Sequence, residues 1–324
     1  MPTQFRPVDA LLGALVADTL AMPVHWYYDR EALTRDYGEL ERCLAPRNPH
    51  PDSILWRSSY QAPNPRGDIL HDQAVYWGQR GIHYHQFLTA GENTLNFQLA
   101  RQLYALIKAS GSYDPDRWLA TYQDFMLTPG QHRDTYIEEY HRAFFTNLAR
   151  GLPPRHCGIE DIHIGGLAPV PALFATLAET GEAGLRQAVQ THVGLTHRHP
   201  KVLAAADTLT RLLLAVAEGE ALRPAIEHLA TDWLSPRRMA QWETKADMEV
   251  IGVHLSTACY IIEAFPAALY LTWKYADDYA AGIRANARVG GDSCHRGAVV
   301  GSLLGLAQGV PEVWLAQLKD PLTG

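Results

Sequence analysis

The sequence lacks the features that mark several large classes of protein. Its four cysteines form no CxxC pair, so neither a disulfide framework nor a cysteine-rich zinc ribbon is expected. Charged residues make up only 19% of the chain, and a net charge of −7 offers no basic surface to nucleic acid or an anionic membrane. The longest apolar stretch, 261–273, contains Glu263 and Pro266 and is too short to span a bilayer. No signal-like apolar segment opens the sequence, so we expect a protein of the reducing cytoplasm.

Strand-like sequence is also scarce, since the chain has no long alternating β-branched segment and no β-α-β rhythm. Apolar residues instead recur at spacings of three and four, as in the run Leu95, Leu99 and Leu103. With 47% hydrophobic residues, the chain can bury a large core. The pattern predicts an all-α fold with helices over residues 6–21, 94–107, 115–126, 135–150, 182–193, 200–219, 248–274, 276–285 and 297–308.

Two irregular stretches, 43–68 and 150–172, are rich in proline and glycine. Both contain apolar residues and adjoin amphipathic helices, so we interpret them as loops of one domain and not as linkers. We therefore expect a single compact domain over residues 1–324, with a cleft lined by loops and helix N-termini.

The first segment that could carry chemistry is 13–26, a helix of small residues that breaks at Pro23. Asp18 lies within this apolar run and needs a partner if it is buried. It is either a ligand-binding carboxylate or a structural aspartate that caps a neighbouring element. His25 follows the break, and a histidine can serve as general acid or base near neutral pH.

The second segment, 91–94, reads Gly-Glu-Asn-Thr at the start of an amphipathic helix. Glu92 suits the positive end of the helix dipole, and Asn93 or Thr94 could cap free backbone N–H groups. Capping is therefore the structural alternative to a binding role for this segment.

The third segment, 286–297, holds the glycine pair Gly290 and Gly291, which permits a tight turn and close approach of a ligand. A helix of small residues follows, and its N-terminus could hold an anion. The structural alternative is a glycine turn with an N-cap, but a crowd of reactive side-chain types favours a site. These side chains are Asp292, Cys294, His295 and Arg296.

Two His-x-His pairs, at 83/85 and 197/199, suggest zinc as a further possibility. Neither the HExxH pattern nor a Cys/His ligand spacing accompanies them. A zinc-dependent hydrolase therefore stays open as a third alternative.

Taken in order, these segments resemble the ADP-ribosylglycohydrolase family over about residues 6–309. The family's Gly-Asp helix corresponds to 13–25, its Thr-Asp-Asp-Thr metal motif to 91–94, and its Leu-Thr-His element to 195–197. Its C-terminal Asn-x-Gly-Gly-Asp-Thr-Asp-Thr signature corresponds to 286–295 with one inserted residue. The resemblance implies an all-α enzyme that cleaves a glycosidic bond of ADP-ribose, typically with two Mg²⁺ or Mn²⁺ ions.

The chain departs from the family pattern where metal ligands are expected. Asn93, Cys294 and His295 replace motif residues, and four carboxylates shrink to Glu92 and Asp292. Hard divalent ions prefer several oxygen ligands, so a two-ion centre is not expected. Either one Mg²⁺ or Mn²⁺ is held by Glu92 and Asp292, or no metal binds. In both cases the expected catalytic residues are Glu92, Asp292, His25 and His295.

By the same resemblance, the loop 161–169 should line the cleft. The residues expected to bind substrate are Asp18, Asn93, His163, Gly165, Gly290, Gly291, Cys294 and Arg296.

Two functions remain open besides the zinc-dependent hydrolase. One is a hydrolase of an ADP-ribosyl or related ribosyl glycosidic bond with a remodelled, metal-poor site. The other is a non-catalytic member that binds ADP-ribose or a nucleotide, or serves a crystallin-like structural role. The replacements at the site are polar and chemically capable, which favours the altered enzyme. We expect a small-molecule or ADP-ribosylated substrate, and neither nucleic acid nor membrane, as partner. The sequence leaves the oligomeric state open.

Overall fold

The computed structural model describes residues 6–322, in which helices dominate and strands are reduced to isolated bridges. The all-α prediction is confirmed. None of the described helices is long and apolar enough to cross a membrane. The α-helices are α1 (Val8–Ala21), α2 (Arg30–Tyr37), α3 (Leu95–Ser110), α4 (Pro115–Leu127), α5 (Glu139–Ala149), α6 (Val170–Leu177), α7 (Glu182–Gly194), α8 (Pro200–Ala217), α9 (Leu222–Leu229), α10 (Pro236–Trp242), α11 (Asp247–Glu249), α12 (Ile261–Lys274), α13 (Tyr279–Arg288), α14 (Ser293–Gln308) and α15 (Glu312–Leu315).

Helices α1 and α14 form the centre of the fold. Both are buried around nearly their whole circumference, which is the pattern of a core helix and not of a surface helix. Glycines let the two backbones approach closely, because a Cβ on Gly13 would lie 2.1 Å from the carbonyl oxygen of Gly301. The helices run antiparallel, so the C-terminus of α1 lies against the N-terminus of α14.

The segment that follows α1 meets the turn before α14 through backbone hydrogen bonds. The N–H of Trp26 donates to the carbonyl of Gly291 (2.7 Å), and the N–H of Gly291 donates to the carbonyl of Tyr27 (2.6 Å). Gly291 has a φ of +63°, and a Cβ there would lie 2.1 Å from the carbonyl oxygen of Thr257. Glycine is therefore required where these three segments converge, directly beside His25.

One predicted helix is wrong in its first part. The sequence predicts one continuous helix over 248–274, but α12 begins only at Ile261. Gly252 has a φ of +137°, and the guanidinium of Arg30 occupies the space that a Cβ there would need. Arg30 also donates to the carbonyl of Met248, so a contact between distant segments overrides the local helical pattern.

Candidate active site

Asp292 is the centre of a buried cluster at the N-terminus of α14. Its Oδ1 lies 2.9 Å from Nε2 of His25 and 2.7 Å from Nδ1 of His295. All three residues are inaccessible to solvent. The structure thus brings together three of the four residues that the sequence suggested as catalytic.

His163 and Glu138 connect this cluster to a cleft of about 400 Å³ that both residues line. Nε2 of His163 lies 3.4 Å from Oδ2 of Asp292, and Oε1 of Glu138 lies 3.4 Å from Nε2 of His295. The backbone N–H of Gly165 donates to Nδ1 of His163 (2.8 Å). The proton of a neutral His163 therefore lies on Nε2 and faces Asp292.

The lining of the cleft combines aromatic side chains with polar ones. Aromatic rings can stack on a base or pack against a sugar ring, and polar groups in such a lining can orient a ligand. The loop 161–169 contributes to the lining through Asp161 and His163, as the sequence suggested. The other lining residues are Trp26, Tyr28, Ile54, Arg57, Tyr84, Tyr136, Glu138, Glu139, Cys259 and Tyr260.

Electrostatics keep the two carboxylates of the cluster ionised. Burial opposes their charge, but the neighbouring histidines, His295 foremost, hold the pKa of both Asp292 and Glu138 below the usual range. Burial likewise opposes a charge on His295, yet the two carboxylates raise its pKa to about 10. For His25 burial dominates and lowers the pKa to about 3, so this imidazole is neutral. The cluster thus combines ionised carboxylates with histidines of different charge.

Glu92 lies apart from this cluster, contrary to the expected pairing with Asp292. Its Oε1 pairs with Arg133 and with Nζ of Lys319 (3.0 Å), and its Oε2 accepts from the N–H of Thr89 (2.6 Å). It borders a separate surface hollow of about 780 Å³. The two basic side chains hold the carboxylate at this surface, so the structure does not assemble a centre from Glu92 and Asp292.

Asp18 and Asn93 bind each other. The carboxylate of Asp18 accepts from Nδ2 of Asn93 (2.9 Å), from the N–H of Thr94 (2.8 Å) and from Oγ1 of Thr94 (2.7 Å). Asp18 is fully buried, so these bonds fasten α1 to the start of α3. Its contacts are those of a structural, capping aspartate.

Cys294 and Arg296 also make internal contacts. Sγ of Cys294 lies 3.7 Å from the carbonyl oxygen of Asp18, and burial raises the pKa of its thiol. The buried guanidinium of Arg296 donates to the carbonyls of Gly290 (2.6 Å) and Asn286 (3.2 Å). Arg296 therefore stabilises the glycine turn that presents Asp292 to the cluster.

Sequence reasoning missed Glu138, Asn96 and Asp134. Glu138 immediately precedes α5, and an acidic residue before a helix start was an available signal. Asn96, in the first turn of α3, places Nδ2 at 2.7 Å from Nε2 of His295. Asp134 binds His85, which the sequence marked only as half of a His-x-His pair.

The cluster does not fit the two-ion magnesium centre that the resemblance implied. Among the described residues, two groups place candidate ligand atoms within 4.8 Å of one another: His25, Asp292 and His295, and His163, Cys259 and Asp292. Each group offers a single carboxylate beside nitrogen or sulfur, whereas Mg²⁺ and Mn²⁺ prefer oxygen ligands. The Nε2–H of His163 further denies a lone pair to an ion at that position.

Comparison with known proteins yields a family match over nearly the whole chain. The model of the family "ADP-ribosylglycohydrolase" matches residues 2–323. A solved structure of an ADP-ribosylglycohydrolase-related protein complex aligns with a TM-score of 0.57 at 18% identity. The alignment covers 97% of this chain and 93% of the other, and at that identity it establishes the fold alone. Comparison with curated proteins finds no significant match.

Proposed function

Because this chain belongs to the ADP-ribosylglycohydrolase family, we propose that it hydrolyses an ADP-ribosyl or related ribosyl glycosidic bond in the cleft above Glu138 and His163. The observation that carries this proposal is the position of Glu138. Its carboxylate lines the cleft while contacting His295, and its Oε2 has no hydrogen-bond partner among the described residues. A buried oxygen without a partner is costly unless a water or a ligand occupies the position beside it.

The chemistry follows from an ionised carboxylate beside an aromatic cleft. Cleavage of a ribosyl bond passes through an oxocarbenium-like state, which negative charge stabilises and a positioned water captures. We assign Glu138 as the general base that takes the proton of this water as the oxygen adds to the anomeric carbon. Asp292, which is fully buried, acts as a positioning residue that holds His25, His295 and His163.

A second candidate function is binding without turnover. Asp18 and Asn93, at two positions where the family pattern places functional residues, are engaged in internal hydrogen bonds. This observation favours a chain that keeps the cleft but has lost the metal chemistry. The cleft would then hold ADP-ribose or a nucleotide as a bound ligand.

A turnover screen separates the two functions. The panel contains ADP-ribosyl-arginine, ADP-ribosyl-serine, O-acetyl-ADP-ribose and simple nucleosides, each with and without Mg²⁺. Glu138→Gln keeps the shape of the side chain and should lower kcat by about 10²- to 10⁴-fold. Glu218→Gln, an exposed site away from the cleft, is the matched control and should behave as wild type.

Glu92→Gln tests the rival assignment from the sequence. If that variant loses activity while Glu138→Gln keeps it, the site assignment is wrong. Calorimetric binding of ADP-ribose without turnover of any compound would instead favour the binding function.

A further inference from the structure

The cleft that Glu138 lines carries more negative than positive charge. Its lining holds three carboxylates, those of Glu138, Glu139 and Asp161, and a single guanidinium, that of the exposed Arg57. Glu138 is buried, and its Oε2 has no hydrogen-bond partner among the described residues. A ligand that enters the cleft is therefore met by a net negative charge and by a carboxylate oxygen that is free to contact it.

The aromatic side chains of the lining also favour a positively charged ligand. Trp26, Tyr84 and Tyr136 pack edge to face, with ring centroids 4.9, 5.1 and 5.3 Å apart. Tyr28 and Tyr260 add two rings that are 48% and 51% exposed. The face of an aromatic ring carries partial negative charge and attracts a cation. Rings and carboxylates in one cleft thus match a ligand that is both aromatic and cationic.

Two α-helices begin at this cleft, and a helix N-terminus can hold a phosphate. Here both helix starts carry acidic residues instead. Glu138 and Glu139 open α5, and Glu263 lies in the first turn of α12, which follows Tyr260. These carboxylates bring negative charge to the positive ends of the helix dipoles. Among the described lining residues, Arg57 is thus left as the partner for a diphosphate, and one guanidinium balances only part of its charge.

The position of the histidines restricts the leaving group. A neutral base departs readily only if a general acid protonates it. His25 and His295 are inaccessible to solvent. Nδ1 of His163 accepts from the N–H of Gly165, so the Nε2–H of this imidazole faces Asp292. These three imidazoles therefore present no proton to the cleft, whereas a base that is already cationic leaves without receiving one.

We infer that the substrate is a ribosyl compound without a diphosphate, whose anomeric carbon is bonded to the ring nitrogen of a cationic aromatic base. The C–N bond breaks, and its electron pair neutralises the departing base. The oxygen of water adds to the anomeric carbon, and Glu138 takes the proton of this water. The products are ribose and a neutral base, with the released proton on Glu138. Turnover of this substrate rests on the proposed function, whereas the preference of the cleft for a cation does not.

The first test measures binding and needs no activity. N-methylnicotinamide, a pyridinium cation, is compared with neutral nicotinamide by calorimetry at low ionic strength. The cation should bind about tenfold more tightly or better. Asp161→Asn removes one charge but keeps the Oδ1 that accepts from the N–H of His163 (2.7 Å), so it should weaken binding of the cation and leave that of nicotinamide unchanged. Glu218→Gln, exposed and away from the cleft, should match wild type. Equal affinity for the two probes, or binding of neither, overturns the inference.

The second test measures turnover of one scissile bond with increasing phosphate. Nicotinamide riboside, nicotinamide mononucleotide and NAD⁺ share the ribosyl–pyridinium bond and carry no phosphate, one phosphate and a diphosphate. The value of kcat/KM should fall by about tenfold or more from the riboside to NAD⁺, because like charges repel in the cleft. Fastest turnover of NAD⁺ overturns the inference. If none of the three is cleaved while the cation still binds preferentially, the proposed function is wrong and the charge preference of the cleft stands.

Discussion

Replacing Asp18 tests whether this residue fastens the fold or binds substrate. The change Asp18→Ala removes three hydrogen bonds from a fully buried carboxylate. Asn93 keeps a second acceptor, since its Nδ2 also donates to the carbonyl of Leu15 (2.9 Å). The hydroxyl of Thr94 can rotate to another acceptor. The loss of stability therefore comes from the backbone N–H of Thr94, which is left without an acceptor, and from the cavity that the Asp18 side chain leaves. We expect a loss of about 2–4 kcal/mol in the free energy of unfolding.

Urea unfolding, extrapolated linearly to water, measures this loss. Asp18→Asn is the isosteric comparison and should lose less, because its carbonyl oxygen still accepts. Glu182→Ala is the control: it removes an exposed ion pair with Arg186, so the change should cost about 1 kcal/mol or less. If Asp18→Ala unfolds within 1 kcal/mol of wild type yet no longer binds ADP-ribose, the structural assignment is refuted and the substrate-binding expectation returns.

Three further predictions concern packing, charge and thiol reactivity. Gly13→Ala should destabilise the fold by about 3 kcal/mol or more, because its Cβ would lie 2.1 Å from the carbonyl oxygen of Gly301. Gly194→Ala is the control and should leave stability nearly unchanged, because its Cβ would meet no described atom within 4 Å. Urea unfolding of both variants measures the difference. The pKa of Glu138 is held low in the folded state, so its charge favours folding above its unfolded pKa and this contribution is lost as pH falls. The stability difference between wild type and Glu138→Gln, measured by urea unfolding, should therefore shrink below about pH 4.5. Cys294, buried and with a raised pKa, should resist alkylation until the protein unfolds, which mass spectrometry can follow.

Much of the fold could be predicted because helical periodicity is a local property of sequence. The run Leu95, Leu99 and Leu103 indicated α3, and proline at position 200 marked the start of α8. The failure at 250–260 has a non-local cause, since Arg30 comes from a segment more than 200 residues away. The residues around Gly252 in the sequence therefore give no sign of this contact with Arg30.

The sequence could predict only those contacts of the candidate site that join residues of the same short motif. Asp292 and His295 are three residues apart on one helix start, so their pairing follows from local geometry. Glu92 occupies a motif position, but its partners Arg133 and Lys319 come from distant loops that no spacing rule connects to it. The motif therefore identified Glu92 as a candidate residue but could not predict the ion pairs that it forms.

The histidines of the cluster explain how the fold keeps two buried carboxylates charged. Ionised Asp292 and Glu138 need positive charge or N–H donors nearby, because burial of bare carboxylates is unfavourable. His295 contacts both carboxylates, with Nδ1 at 2.7 Å from Oδ1 of Asp292 and Nε2 at 3.4 Å from Oε1 of Glu138. His25 and His163 add N–H groups around Asp292. A set of imidazoles can thus meet the same electrostatic need of buried carboxylates that a divalent ion would meet.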